Sequence, residues 1–160
     1  MPRSRPARPA PALLAALALL AACATPGRLP PGDEAGLQAA LQAYALATAT
    51  MDAHALGQAY APRGALVDWK GVRHVGPEAV EAYLRGFTGF RVLESLMTVE
   101  EARAEGERVR QRGRAYQRVV LPGGEAVEAV VRFDATWVKE GGRWLLEELS
   151  TSPLPAQREP

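Results

Sequence analysis

One cysteine, Cys23, stands in the whole chain of 160 residues, and there are only two histidines, His54 and His74. A single thiol excludes an internal disulfide framework, so the fold must be held by its core. Two isolated histidines and no spare cysteine leave no ligand set at metal-binding spacing. Neither a Gly-x-Ser-x-Gly elbow nor a Walker-type glycine loop is present, and no cofactor motif takes their place. Aromatics are scarce at 6%, and charge is nearly balanced, with 19 Lys and Arg against 18 Asp and Glu. Such a balance gives no general attraction to nucleic acid. Nor is there an apolar run long enough to cross a bilayer. Ala10 to Ala22 contains Pro11 and is about a dozen residues long, short of the ~20 that a spanning helix requires.

What the N-terminus does have is a layout. Arg3, Arg5 and Arg8 precede the short apolar stretch and small residues close it, which is the pattern of a secretory signal peptide. Its end, Leu20-Ala21-Ala22-Cys23, resembles the bacterial lipobox. That resemblance implies cleavage before Cys23, lipid such as palmitate on its sulfur and new amino group, and a membrane-anchored protein of the cell envelope. Ala24 follows where lipoproteins of the inner membrane often carry Asp. In a host with two membranes the expected place is therefore the outer one, facing the periplasm. Residues 1–22 are expected to be the signal, and residues 23–32 the lipidated cysteine with a semi-extended Pro/Gly tether. Without the three arginines, the remaining chain is slightly acidic.

From Asp33 the pattern turns helical. Leu37, Leu41, Tyr44 and Met51 recur at three- and four-residue steps, with Asp33 as the expected N-cap. Asp52 is expected to end that helix and cap a shorter one, Ala53 to Ala59. A short strand, Ala65 to Trp69, follows the break at Pro62 and Gly64. Pro77 opens a third helix with Val80, Tyr83, Leu84 and Phe87 on its apolar face. The rest reads as four strands, Phe90 to Ala104, Glu107 to Leu121, Glu125 to Lys139 and Arg143 to Thr151, separated by Gly-containing turns. The fold class expected is α+β, with three N-terminal helices packed on a curved antiparallel sheet. One domain spans residues 33–152, and residues 153–160 form a disordered tail.

The stretch "YALATATMDAHALGQAYAPRGALVDWKGVRHVGPEAVEAYLRGF" resembles the front half of the nuclear-transport-factor-2-like superfamily, which includes the ketosteroid isomerases and the SnoaL-like polyketide cyclases. "RFDATWVKEGGRWLLEELS" resembles its closing hairpin. The resemblance implies a cone whose sheet and helices enclose a mostly apolar pocket, and a homodimer formed through the sheet. Residue by residue, Tyr44 takes the place of the isomerase oxyanion-hole tyrosine, Asp68 that of the general base, and Asp134 that of the protonated aspartic acid. Such a set would move a proton between carbons while two neutral donors stabilise the enolate oxygen.

The residues themselves leave alternatives open. Tyr44 sits on an apolar helix face, as a core tyrosine would, and Asp68 stands beside Trp69 and Gly71, as a turn aspartate would. Strand alternation puts Asp134 with Arg132 and Thr136, opposite Phe133, Ala135 and Trp137. If the apolar face packs under the helices, Asp134 points away from the pocket. Trp69, Tyr83, Phe87 and Trp144 are the expected pocket lining, with Glu148 at its mouth. Arg108, Arg110, Arg112, Arg114 and Arg118, with Tyr116 among them, share one strand face. They are expected to be a solvated face answered by glutamates such as Glu100, Glu105, Glu125 and Glu128 rather than a nucleic-acid surface. Three functions remain: a tethered binder of a small, largely apolar molecule, an acid–base enzyme of the isomerase, dehydratase or cyclase type, and an envelope assembly module.

Overall fold

A computed structural model describes residues 29–154. The expected signal, Cys23 and most of the expected tether lie outside the described residues, as do residues 155–160 of the expected 153–160 tail, whereas Pro153 ends the last strand. Three helices come early in the chain: α1 (Pro31–Thr50), α2 (Ala53–Gln58) and α3 (Pro77–Arg85). Alanine-rich sequence favours α1 through intrinsic propensity, and it buries Leu37 in the core over the sheet and Ala47 near its C-terminal end. It starts earlier than the expected Asp33 cap: Pro30 is the cap residue, Pro31 fits the first turn, and Asp33 and Glu34 lie within that turn. Asp33 is held instead by an ion pair with Lys139, which ties the start of α1 to the sheet. Met51 ends α1 in the left-handed region at φ 53°. Asp52 caps α2 as expected, its side chain accepting from the Ala55 N–H at 2.9 Å.

The strands are β1 (Tyr60–Val67), β2 (Arg73–Val75), β3 (Arg91–Glu105), β4 (Arg108–Val120), β5 (Ala126–Glu140) and β6 (Arg143–Pro153). They form one sheet in the order β2-β1-β6-β5-β4-β3. The sequence reading missed β2, whose three residues carry no alternation of their own. It also expected a wholly antiparallel sheet, whereas β1 pairs with β6 in parallel. The four-strand meander from β3 brings β6 back beside β1 in the same direction, so the parallel pair follows from connectivity. Irregular pairings within β3, between β5 and β6 and along β1 bend the strands.

Alternation then decides the layers. On β5, Phe133, Ala135 and Trp137 are buried against the helices, and Arg132, Asp134 and Thr136 face the other way. The core joins these to Leu37 of α1, Tyr60 and Leu66 of β1, Val80 of α3, and Leu146 and Leu149 of β6. Trp137 anchors it by donating its indole N–H to Gln111 Oε1 at 3.0 Å, so a buried polar pair is mutually satisfied. Packing is close where β4 passes under Phe133. A Cβ on Gly113 would lie 1.9 Å from the Thr98 carbonyl oxygen and 2.9 Å from the Phe133 ring.

Candidate functional site

Where α1 and α3 diverge over the sheet, a cavity of about 370 Å³ remains. Tyr44, Thr48 and Met51 of α1 wall one side, and Tyr83, Leu84, Phe87 and Phe90 of α3 and its exit segment wall another. The floor is the inner face of the sheet, with Leu66, Val119, Val127 and Leu149. The aromatic rings brace each other edge to face, Tyr83 on Phe87 at 5.2 Å and Phe87 on Phe90 at 5.6 Å. The lining is chiefly apolar, and Asp68 is its one charged residue among the described residues. A larger groove, about 470 Å³, lies on the outer face of the sheet, but charged side chains such as Glu100, Arg110 and Arg112 line it.

Asp68 follows β1 at the start of the tight connection to β2 and is buried. Its Oδ1 accepts from the N–H groups of Lys70 and Val72, both at 2.9 Å, the local turn chemistry that Asp favours. Its Oδ2 lies 3.3 Å from His74 Nε2. Burial pushes the carboxyl up, but the Val72 N–H, His74 and the Lys70 N–H outweigh it and hold it below the ordinary carboxylate range. Beside it, Tyr83 is pushed up by burial and by the negative field of Asp68. The His74 ring stacks on Tyr83 at 4.0 Å. In the sequence His74 stands only as a lone histidine. The β1–β2 pairing, which places it opposite Leu66, is what brings it to Asp68.

Tyr44 reaches the same cavity. Its hydroxyl lies 3.5 Å from that of Tyr60, and the rings meet edge to face at 6.5 Å. Burial raises both phenols, Tyr60 strongly. Each hydroxyl has one proton to give, and the pair uses one of the two. If Tyr60, 2% exposed, donates to Tyr44, the remaining proton is on Tyr44, which faces the cavity. The reverse would strand a donor in the core, at a cost of about 1–3 kcal/mol.

Three expected site residues are elsewhere. Asp134 is on the outer face, as the alternation of β5 requires once Phe133 and Trp137 are inside. Arg112 Nε donates to it at 2.8 Å and Arg110 Nε at 3.1 Å. Burial pushes its carboxyl up, but the two guanidinium groups outweigh that and hold it low. It is thus an ionised acceptor in an ion-pair ladder, where an oxyanion donor would have to be protonated. Trp144 is buried in the core over Gly36 of α1, away from the cavity lining, and its indole N–H has no hydrogen-bond partner among the described residues. Glu148 also faces outward and receives Arg73 at 2.6 Å. Trp69, Tyr83 and Phe87 do line the cavity, Trp69 at its rim with 66% exposure and Lys70 over its ring. The arginines of β4 form ion pairs with Glu147, Asp134, Glu100 and Glu94; of the expected glutamates Glu100 is one of these, and Glu105 acts on Arg110 through its field. No cluster of three or more His, Cys, Asp or Glu gathers among the described residues, and none of their helices is long and apolar enough to cross a membrane.

A family model described as a SnoaL-like domain matches residues 32–150. Among solved structures, a ketosteroid isomerase-like protein from Erwinia carotovora atroseptica is 18% identical and superposes with a TM-score of 0.67 over 76% of this chain and 95% of its own. A putative aromatic ring hydroxylase from Novosphingobium aromaticivorans is 17% identical, with a TM-score of 0.67 over 80% and 93%. A putative calcium/calmodulin-dependent protein kinase II association domain from Xanthomonas campestris is 23% identical, with a TM-score of 0.64 over 82% and 96%. At these identities the likeness is one of fold, and the differing descriptions of the three agree with that. No curated protein matches the chain.

Proposed function

The chain belongs to the SnoaL-like domain family, and on that premise we propose that it binds a small, largely apolar molecule in the cavity between α1, α3 and the sheet. The observation that carries this reading is the cavity itself: about 370 Å³, apolar over most of its wall, with a few polar groups, Asp68 and Tyr44 among them, at hand to orient a guest. That volume and that ratio of apolar to polar lining are those of small-molecule sites generally. Tyr44 supplies a donor for a carbonyl or ether oxygen, and Asp68 supplies an acceptor. Removing the apolar surface of a bicyclic guest from water contributes a few kcal/mol at ~25 cal/mol per Å².

Isothermal titration of the full chain with 1-naphthalenemethanol tests the reading. Saturable one-to-one binding is expected, and it should be lost in Val127→Trp, which fills the cavity from its floor. Equal binding by wild type and Val127→Trp would overturn it.

The acid–base enzyme is the second reading, supported by a carboxylate and a phenol on one cavity. Against its isomerase form stands Asp134, which cannot share an oxyanion with Tyr44 from the other side of the sheet. Proton exchange at the α-carbon of a bound ketone, lost in Asp68→Asn, would favour it. We further propose that lipid on Cys23 tethers the domain to a membrane of the cell envelope, in a host with two membranes the outer one, with the domain facing the periplasm. The exposed Leu96 and Val130 on the outer sheet face fit a homodimer.

A further inference from the structure

Asp68 is the only charged residue lining the cavity, and no Lys or Arg side chain lines it among the described residues. Five of the chain's aromatic rings, Tyr44, Trp69, Tyr83, Phe87 and Phe90, face the same space. A carboxylate has about four lone-pair sites. Three on Asp68 are taken, two by the N–H groups of Lys70 and Val72 and one by His74, which leaves one on Oδ2. Lys70 and Arg73, close to Asp68 in sequence, are committed elsewhere. Lys70 Nζ lies 4.9 Å from the centre of the Trp69 ring, and Arg73 pairs with Glu148 on the outer face. No Lys or Arg among the described residues pairs with Asp68, and aromatic faces are themselves negative. Both features favour a cation on the guest.

We propose that the ligand is a lipophilic amine: an apolar body carrying one protonated nitrogen that donates to Asp68 Oδ2 and rests against the aromatic rings. This rests on the small-molecule reading and specifies the head group. A neutral hydroxyl can donate to the same oxygen, but it brings no charge to pair with the carboxylate or to meet the π faces. A carboxylate on the guest is repelled by Asp68 and finds no cation in the cavity. The three head groups are therefore ordered ammonium, then alcohol, then carboxylate.

The test is a titration of the full chain at neutral pH with three probes that share one apolar body: 1-naphthylmethylammonium, 1-naphthalenemethanol and 1-naphthoate. The ammonium is expected to bind at least about tenfold tighter than the alcohol, and the carboxylate weakest of all. Asp68→Asn keeps a carbonyl oxygen for the Lys70 and Val72 N–H groups. Because the guest-facing oxygen becomes an amide NH2, both probes should weaken, the ammonium by much more, so that it comes within about twofold of the alcohol. Phe87→Leu, which leaves Asp68 and its turn untouched, should weaken the ammonium more than the alcohol. Equal binding of ammonium and alcohol, or a preference for the ammonium that survives both substitutions, overturns the amine and leaves the cavity reading standing. Failure of all three probes to bind overturns both.

Discussion

Asp68 shows how one side chain serves both structure and site. Its Oδ1 closes the β1–β2 connection through two backbone N–H groups, and its Oδ2 turns to His74 and the cavity. Because those donors lower its carboxyl in the folded state, Asp68 adds stability above the unfolded carboxyl value, near 3.9, and loses it as pH falls through the folded value. Thermal melts of wild type and Asp68→Asn at pH 7, 5 and 3.5 check this. The gap in Tm should be widest at neutral pH and narrow towards pH 3.5. An unchanged gap would mean that the carboxylate charge contributes nothing. The two buried tryptophans on the core side give a second comparison. Trp137 donates to Gln111, whereas the Trp144 indole N–H is buried without a partner among the described residues. Trp137→Phe leaves the Gln111 oxygen unpaired in the core, while Trp144→Phe removes an unpaired donor. By urea melts, Trp137→Phe should therefore cost about 2 kcal/mol more than Trp144→Phe. Equal losses would contradict the hydrogen-bond assignment.

At the level of elements, β4 and β5 carry the sheet and decide what faces the cavity. β4 lies between β3 and β5, and Gly113 sits where Phe133 crosses it, leaving no room for a methyl group. Gly113→Ala is expected to cost about 3 kcal/mol or more, seen as a lower urea midpoint, because backbone and an aromatic ring must both move. A loss below ~0.5 kcal/mol, the size of an ordinary surface change, would show that this crossing is loose. These strands also mark where the sequence was legible. The alternation of β5 sorted Phe133, Ala135 and Trp137 from Arg132, Asp134 and Thr136, yet periodicity alone does not say which set is inside. That depends on where α1 lands, a contact between residues distant in the chain, and so Asp134 stayed open until the structure placed it outward. Trp144 and Glu148 were misplaced for related reasons. The irregular β5–β6 pairing between Thr136 and Trp137 changes the phase of β6, so Trp144 and Leu146 fall inside while Glu148 falls outside. His74 was missed because its partner is reached only through β2, a strand too short to signal itself.

For the whole molecule, the order of helices and the long meander were readable from punctuation and period, since Pro77, the Pro122–Gly124 turn and the Gly141–Gly142 turn all stand at element boundaries. Tyr44, Asp68, Trp69, Tyr83 and Phe87 line one cavity and lie on elements close in sequence, and the resemblance had already put Tyr44 and Asp68 together. The proposed lipid on Cys23 belongs to this scale as well. Fractionation of cells making wild type or Cys23→Ser should move the protein from the membrane to the soluble fraction, and incorporation of labelled palmitate should vanish with it. Retention at the membrane after Cys23→Ser would exclude the lipid tether. The central claim, that the space between α1, α3 and the sheet is a ligand site, is tested most directly by methyl NMR of the full chain during titration with 1-naphthylmethylammonium. Shifts should concentrate on Leu66, Leu84, Val127 and Leu149, with Leu96 and Val130 on the outer face unmoved. Shifts confined to the outer-face methyls, or none at all, would contradict it.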